Sequence, residues 1–135
     1  MISLEDAARM HGHRGPWLVL GYRAGLRALE LLNPESEHDL LCVIRCPLRT
    51  PYTCSVDGVQ ASAGCTLGKM SVRIEEHDGV EFFFLNRRRN LKLLLRLRGG
   101  ISEFLESMSS SEGIDSAAAW VEGAELADLF EETLI

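Results

Sequence analysis

Residues 71–98 read SVRIEEHDGVEFFFLNRRRNLKLLLRLR, and this stretch decides the fold class. From Ser71 to His77 apolar and polar side chains alternate, with Val72 and Ile74 on one face and Arg73 and Glu75 on the other, the period of a half-buried strand. Asp78-Gly79 then supplies the chemistry of a two-residue type I′ turn, so Val80 to Leu85 is expected to return as the antiparallel partner. Leu91 to Arg98 continues as a third strand, with Leu91, Leu93, Leu95 and Leu97 inward and Lys92, Arg96 and Arg98 outward; Leu94 breaks the alternation. Gly99-Gly100 ends the sheet.

Helices flank this block. Ser3 caps a short helix running to Met10, with Glu5 and Asp6 in the first turn where the helix dipole favours acids. His11-Gly12-His13-Arg14-Gly15-Pro16 cannot continue it, because two glycines loosen the backbone and Pro16 suits only the first turn of a new helix. That second helix runs from Pro16 to about Leu32 and closes at Asn33-Pro34. Along it Gly21, Ala24, Gly25 and Ala28 share one side, a small-residue stripe that lets another element approach its backbone. Leu40 to Arg45 reads as a buried strand and Ser55 to Gly64 as a helix. Ile101 to Met108 forms another helix, Ser109 to Gly113 a flexible connection, and Ser116 to Thr133 a final acidic helix. The order predicts a single α+β domain over residues 1–135, with a largely antiparallel sheet and flanking helices.

Composition narrows the function classes. With 46% hydrophobic and 25% charged residues the chain is that of a folded globular protein. A net charge of -6 argues against general nucleic-acid binding, which needs a basic surface. The first residues lack the features of a signal peptide, and no apolar run approaches the ~20 residues of a membrane span. A cytoplasmic location is therefore expected, and the four cysteines are expected to be thiols or ligands. Six of the 14 basic residues fall at Arg87, Arg88, Arg89, Lys92, Arg96 and Arg98. Such a run is ordinarily a solvated face; here it could also meet an anionic cofactor, an acidic partner or the acidic last helix of a second subunit.

His11 and His13, two apart in an extended glycine loop, can face one way and offer two imidazoles to zinc, iron, nickel or copper. The plainer alternative is one packed and one solvated histidine. Cys54 and Cys65 stand 11 residues apart, so a continuous helix would hold them roughly 16 Å from each other. No single ion spans that with Zn–S bonds of about 2.3 Å, so for both to be ligands one must lie beyond a helix end. Gly64 and Gly68 place that break beside Cys65. Cys54, near the helix start, is expected to be an activated thiolate with its pKa lowered by the dipole. Either cysteine could instead be a small buried apolar residue. Asp57 and Gln60 follow Cys54 at steps of three on the same face. Asp57 could orient a ligating imidazole, Gln60 could position water or substrate, and Lys69 could stabilise a thiolate or an anion; a solvated polar face is the alternative. Cys42 is read as core and Cys46 as a spare ligand at most, with His38 and His77 outside the site.

The loop His11-Gly12-His13-Arg14-Gly15-Pro16, followed by Leu20-Gly21-Tyr22-Arg23-Ala24-Gly25, resembles the H-G-H-x-C-P-G and G-x-R-x-G opening of the FmdE-like family of formylmethanofuran dehydrogenase proteins. Cys54-Ser55-Val56-Asp57-Gly58-Val59-Gln60 and Gly64-Cys65-Thr66-Leu67-Gly68-Lys69 are similar to its second signature, C-x-x-D-x-x-Q then G-C-T-x-G-K. The resemblance implies an α+β core, commonly dimeric, with a metal site at His11, His13, Cys54 and Cys65. With an open site it gives Cys54, Asp57 and Lys69 as catalytic candidates, and Gln60 and Thr66 as candidates for contacting a cofactor. The implied metal is divalent, zinc first, with iron or nickel as alternatives. The implied setting is one-carbon or molybdopterin-type redox chemistry, as a homodimer or within a larger oxidoreductase; the rival is a non-catalytic accessory module whose metal is structural. Two departures stand out: Gly15 replaces the family cysteine and Trp17 the glycine after proline. No C-x-x-C pair follows Cys65, so the family's C-terminal zinc-ribbon is not expected.

Overall fold

A computed structural model describes all residues, 1–135. In chain order the elements are α1 (Leu4–His11), α2 (Pro16–Leu32), β1 (Leu40–Cys46), α3 (Cys54–Ala63), β2 (Val72–Glu76), β3 (Glu81–Asn86), β4 (Leu91–Leu97), α4 (Ile101–Glu112), α5 (Ile114–Gly123), α6 (Leu126–Leu129) and β5 (Phe130–Leu134). The α+β class holds: one five-stranded sheet in the order β2-β1-β3-β4-β5, antiparallel except for the parallel β1–β2 pair, with helices beside it.

The expected 71–85 hairpin does not form. Both strands exist, but β1 lies between them, parallel to β2 on one side and antiparallel to β3 on the other. Asp78-Gly79 carries the chain past the end of β1, where His77 N–H donates to the Cys46 carbonyl. The apolar run Leu40–Cys46 is the reason, since Cys42, Ile44 and Cys46 are fully buried and demand a central position.

Two other expectations change. Residues 109–112 continue α4 instead of forming a flexible link, and the chain turns sharply at Gly113 (φ 98°) into α5. The expected helix 116–133 stops at Gly123. Phe130, 2% exposed, then begins an edge strand antiparallel to β4. The acidic tail meets arginine within its own chain: Arg27 Nε and Nη2 donate to Glu132 at 2.7 and 2.9 Å.

The core lies between the helices and one face of the sheet, built from Leu20, Ala24 and Ala28 of α2, Val59 of α3, and Cys42, Ile44, Phe82, Phe84, Leu93 and Leu95 of the strands. The small-residue stripe on α2 receives α3. A Cβ at Gly21 would fall 1.9 Å from the Ser55 carbonyl oxygen, and one at Gly58 would fall 2.2 Å from that of Leu18. The two backbones are thus in direct contact, which fixes the start of α3 beside the start of α2.

Candidate functional site

Three chain segments meet at that junction. Ser3 caps α1 as expected, its Oγ accepting from the Asp6 amide at 3.1 Å, and Gly12 (φ 118°) ends the helix in the left-handed region. His11 is thereby the last residue of α1, and His13 lies in the loop before α2. Their ring centroids are 5.1 Å apart and their planes tilted by 42°.

Both histidines line a cavity of about 390 Å³ together with Cys54 at the head of α3. Gly15, Pro16, Trp17 and Leu18 form the wall at the start of α2; Arg49 and Tyr52 come from the loop after β1, and Ser102, Leu105, Glu106, Ser109, Ser110 and Ile114 from α4 and α5. Trp17 packs edge-on to Tyr52 at 5.0 Å, and the Arg49 guanidinium lies 5.1 Å from the Tyr52 ring. Arg14 pairs with Glu122, tying the histidine loop to α5. The α4–α5 wall carries no recognisable motif in the sequence, and its serines look like linker, so it is not foreseen there.

Asp57 explains the posture of His11. Its Oδ2 is 2.6 Å from His11 Nδ1, in a part-buried contact. A carboxylate only accepts, so Nδ1 carries the proton, and a neutral His11 then presents the lone pair of Nε2 on the side away from Asp57. Gln60 supports Asp57 from one turn further along α3, donating Nε2–H to Oδ1 at 3.4 Å, while its Oε1 accepts the Leu67 amide at 3.0 Å. The C-x-x-D-x-x-Q spacing is thus one helix face running from the cavity through the histidine's support to the loop after α3.

That loop serves structure. Lys69 Nζ donates to the Gly64 carbonyl at 2.5 Å, capping α3. The Thr66 amide donates to Ser71 Oγ, and Thr66 Oγ1 accepts from the Lys69 amide. Neither residue, nor Gln60, lines the cavity. Cys65 is placed apart as well: it is 1% exposed and belongs to the apolar core. The chain breaks at Gly64 (φ 73°), as the glycines suggested, but the break leaves Cys65 at the far end of α3 from the histidines. Burial pushes its thiol up to about 11, against the pull of Lys69 and Arg87. No three His, Cys, Asp or Glu side chains stand as a ready-formed metal cage.

The expected activation of Cys54 by the helix dipole is reversed. Burial and the neighbouring Asp57 carboxylate raise its pKa, and a backbone hydrogen bond offsets only part of this. Gly15 also acquires a meaning: a Cβ there would lie 3.1 Å from His13 Nε2 and 3.4 Å from Ile114 Cγ2. A side chain at this position would enter the cavity beside the histidine ring. Cys42 is fully buried, as expected for core; Cys46, read as a spare ligand at most, is equally buried and does not line the cavity, and His38 and His77 lie outside it.

Comparison with known proteins places the fold and these motifs in one class. The family model "FmdE, Molybdenum formylmethanofuran dehydrogenase operon" matches residues 10–131, which runs from the end of α1 into β5 and includes both signature motifs. The chain belongs to this family. The crystal structure of a tungsten formylmethanofuran dehydrogenase FmdE-like protein from Syntrophus aciditrophicus has the same fold, with a TM-score of 0.61 at 17% identity over 98% of this chain and 69% of that one. A probable S-adenosyl-L-methionine-binding protein of Archaeoglobus fulgidus is 36% identical over 75 residues, 51% of this chain; the match spans 19% of that relative. No helix is long and apolar enough to cross a membrane.

Proposed function

We propose that the cavity is a divalent-metal site with His11, His13 and Cys54 as donors, in a protein that works alongside formylmethanofuran dehydrogenase or a related one-carbon redox enzyme. The His11–Asp57 contact carries this reading, because a carboxylate that fixes one ring nitrogen and frees the other is the usual support of a metal-ligating imidazole. The donor chemistry fits. Two imidazoles bound to one tetrahedral ion at about 2.0–2.1 Å per bond need ring centroids about 5 Å apart, and His11 and His13 have that spacing. Nitrogen and sulfur donors together favour zinc, with iron or nickel as alternatives. A divalent ion with an open position supplies Lewis acidity toward an oxygen of a bound molecule. The chain's own part is to orient the His11 imidazole through Asp57 and to shelter the site behind Trp17, Tyr52 and α4.

A second reading, a metal-stabilised accessory protein without turnover, draws support from Lys69 and Thr66. Both are engaged in the loop after α3 instead of facing the cavity, and the Cys54 thiol is not activated. Metal analysis of anaerobically purified protein tests the shared claim. Wild type is expected to retain one divalent ion per chain, and His11→Ala and His13→Ala to lose it. Absence of stoichiometric metal in wild type, or its retention in both variants, overturns the proposal. Co-purification with a dehydrogenase partner under the same conditions tests the assignment to a larger complex.

A further inference from the structure

Arginines elsewhere in the chain are committed to partners: Arg14 to Glu122, Arg45 to Glu75 and Glu81, and Arg23 to the carbonyls of Val121 and Ala124. Arg49 is different. It lines the cavity from an exposed position, yet its guanidinium makes no hydrogen bond and meets no carboxylate; the contact it does make is with the Tyr52 ring, 5.1 Å from the ring centre. The acid that this loop engages, Glu76, accepts from the Leu48 amide at 2.9 Å instead. A guanidinium held over an aromatic face keeps the N–H donors of its own plane unspent.

Local structure sets this side chain in place. The Arg49 amide donates to the Pro47 carbonyl at 2.8 Å and the Arg49 carbonyl accepts from the Thr53 amide at 3.2 Å, so the backbone is held on both sides. Tyr52 in turn rests edge-on against Trp17 at 5.0 Å. The walls around them are apolar: Trp17, Leu18 and Leu105 are buried, with Pro51 and Ile114 beside the opening. Glu106, exposed on α4, adds a carboxylate to the lining and has no cationic partner. An apolar interior of about 390 Å³ with a few fixed charges at its edge has the size and character of a small-molecule site.

We infer that the cavity binds a small organic monocarboxylate, with the carboxylate forked on the Arg49 guanidinium and the apolar body against Trp17, Leu18 and Leu105. The inference rests on the reading of this cavity as the functional site, but the clamp itself does not depend on the metal. Guanidinium and carboxylate match as planar partners joined by parallel charge-assisted hydrogen bonds, and a free, preset arginine fork is the group that makes this pair. A phosphate ester fits less well. Its second negative charge meets Glu106, and the lining holds no lysine and no second arginine to offset it. The apolar body displaces water from the aromatic and aliphatic walls, which supplies affinity while Arg49 supplies selectivity.

Calorimetric titration of the full chain, once stripped of metal with a chelator and once loaded with zinc, tests this with probes of one shape: 3-phenylpropanoate, 3-phenylpropanamide and 2-phenylethylphosphonate. Metal-free wild type is expected to bind the acid about tenfold more tightly than the amide or the phosphonate, the discrimination that charge-assisted hydrogen bonds supply. Arg49→Gln should bring the acid down to the affinity of the amide, and Arg49→Lys, which keeps the charge without the fork, should recover only part of the difference. Ile114→Trp, at a position 47% exposed, should weaken acid and amide alike by filling the cavity. Arg89→Gln, outside the cavity, should change nothing. Preference for the acid in a metal-free protein that also fails to take up zinc upholds the carboxylate clamp and removes the metal reading. Preference that appears only with zinc and survives Arg49→Gln makes the ion the carboxylate's partner and overturns the clamp while the metal reading stands. Equal affinity for acid and amide, tighter binding of the phosphonate, acid binding untouched by Ile114→Trp, or no binding of any probe overturns it as well.

Discussion

Asp57 Oδ2 and His11 Nδ1 stand 2.6 Å apart although 46 residues separate them in the chain. The contact joins the two signature motifs and sets which imidazole nitrogen is free. Asp57→Ala should therefore weaken divalent-metal binding by about 10–100-fold, the usual effect of losing a ligand's hydrogen-bonded support. Asp57→Asn, which keeps an acceptor for the Nδ1 proton, should lose less. Competition against a chromophoric chelator measures both, and thermal unfolding of the metal-free proteins checks that the fold survives.

Crowding at the α2–α3 contact and open space beside α5 predict opposite signs for two glycine substitutions. Gly21→Ala puts a methyl 1.9 Å from the Ser55 carbonyl and should cost about 1–3 kcal/mol or more in urea unfolding, with weaker metal binding as the histidine loop moves off Cys54. Gly123→Ala, in α5 with nothing within 4 Å, should be neutral or stabilising by roughly 0.5–1 kcal/mol.

Gly15 offers a gain-of-function test. Its backbone is extended (φ -106°), so a cysteine adds no backbone strain, and its Cβ, 3.1 Å from His13 Nε2, needs the ring to give by a few tenths of an ångström. Gly15→Cys restores the thiol of the family pattern and should tighten metal binding, with a second sulfur–metal charge-transfer contribution in the cobalt-loaded protein. Weaker binding would mean that the added side chain displaces His13.

Thiol chemistry follows from burial. In metal-free protein Cys54 is the one cysteine that is not buried, so iodoacetamide should modify it before Cys42, Cys46 and Cys65. Burial and Asp57 raise its pKa, so the thiolate fraction at neutral pH falls below that of a free cysteine and the alkylation rate should climb to a plateau later on the pH axis. Asp57→Asn removes one of the two causes and should move the profile back toward lower pH.

The elements that read correctly from sequence are those decided by local chemistry. The Ser3 cap, the break at Gly12, Pro16 opening α2, the break at Gly64 and the Gly21–Gly25 stripe each depend on residues close in the chain. Strand pairing does not. Asp78-Gly79 carries the local mark of a hairpin, yet the demand of Cys42, Ile44 and Cys46 for a central strand separates β2 from β3. Phe130 likewise ends a helix-like acidic run because β4 has a free edge that sequence alone does not reveal. For the site, the spacing of 11 residues sets Cys54 and Cys65 at opposite ends of α3, but only the docking of α1 on α3 tells which end the histidines join. Cys54 shares their cavity, and Cys65 faces the core.

That division is the point on which cobalt(II) substitution bears most directly. Titration of metal-free wild type, Cys54→Ser and Cys65→Ser, followed by absorption, separates the two cysteines. The predicted result is one equivalent of cobalt in wild type with a thiolate-to-cobalt band, loss of that band in Cys54→Ser, and its persistence in Cys65→Ser. A band that survives Cys54→Ser and vanishes in Cys65→Ser, or no saturable cobalt binding in wild type, would contradict the account.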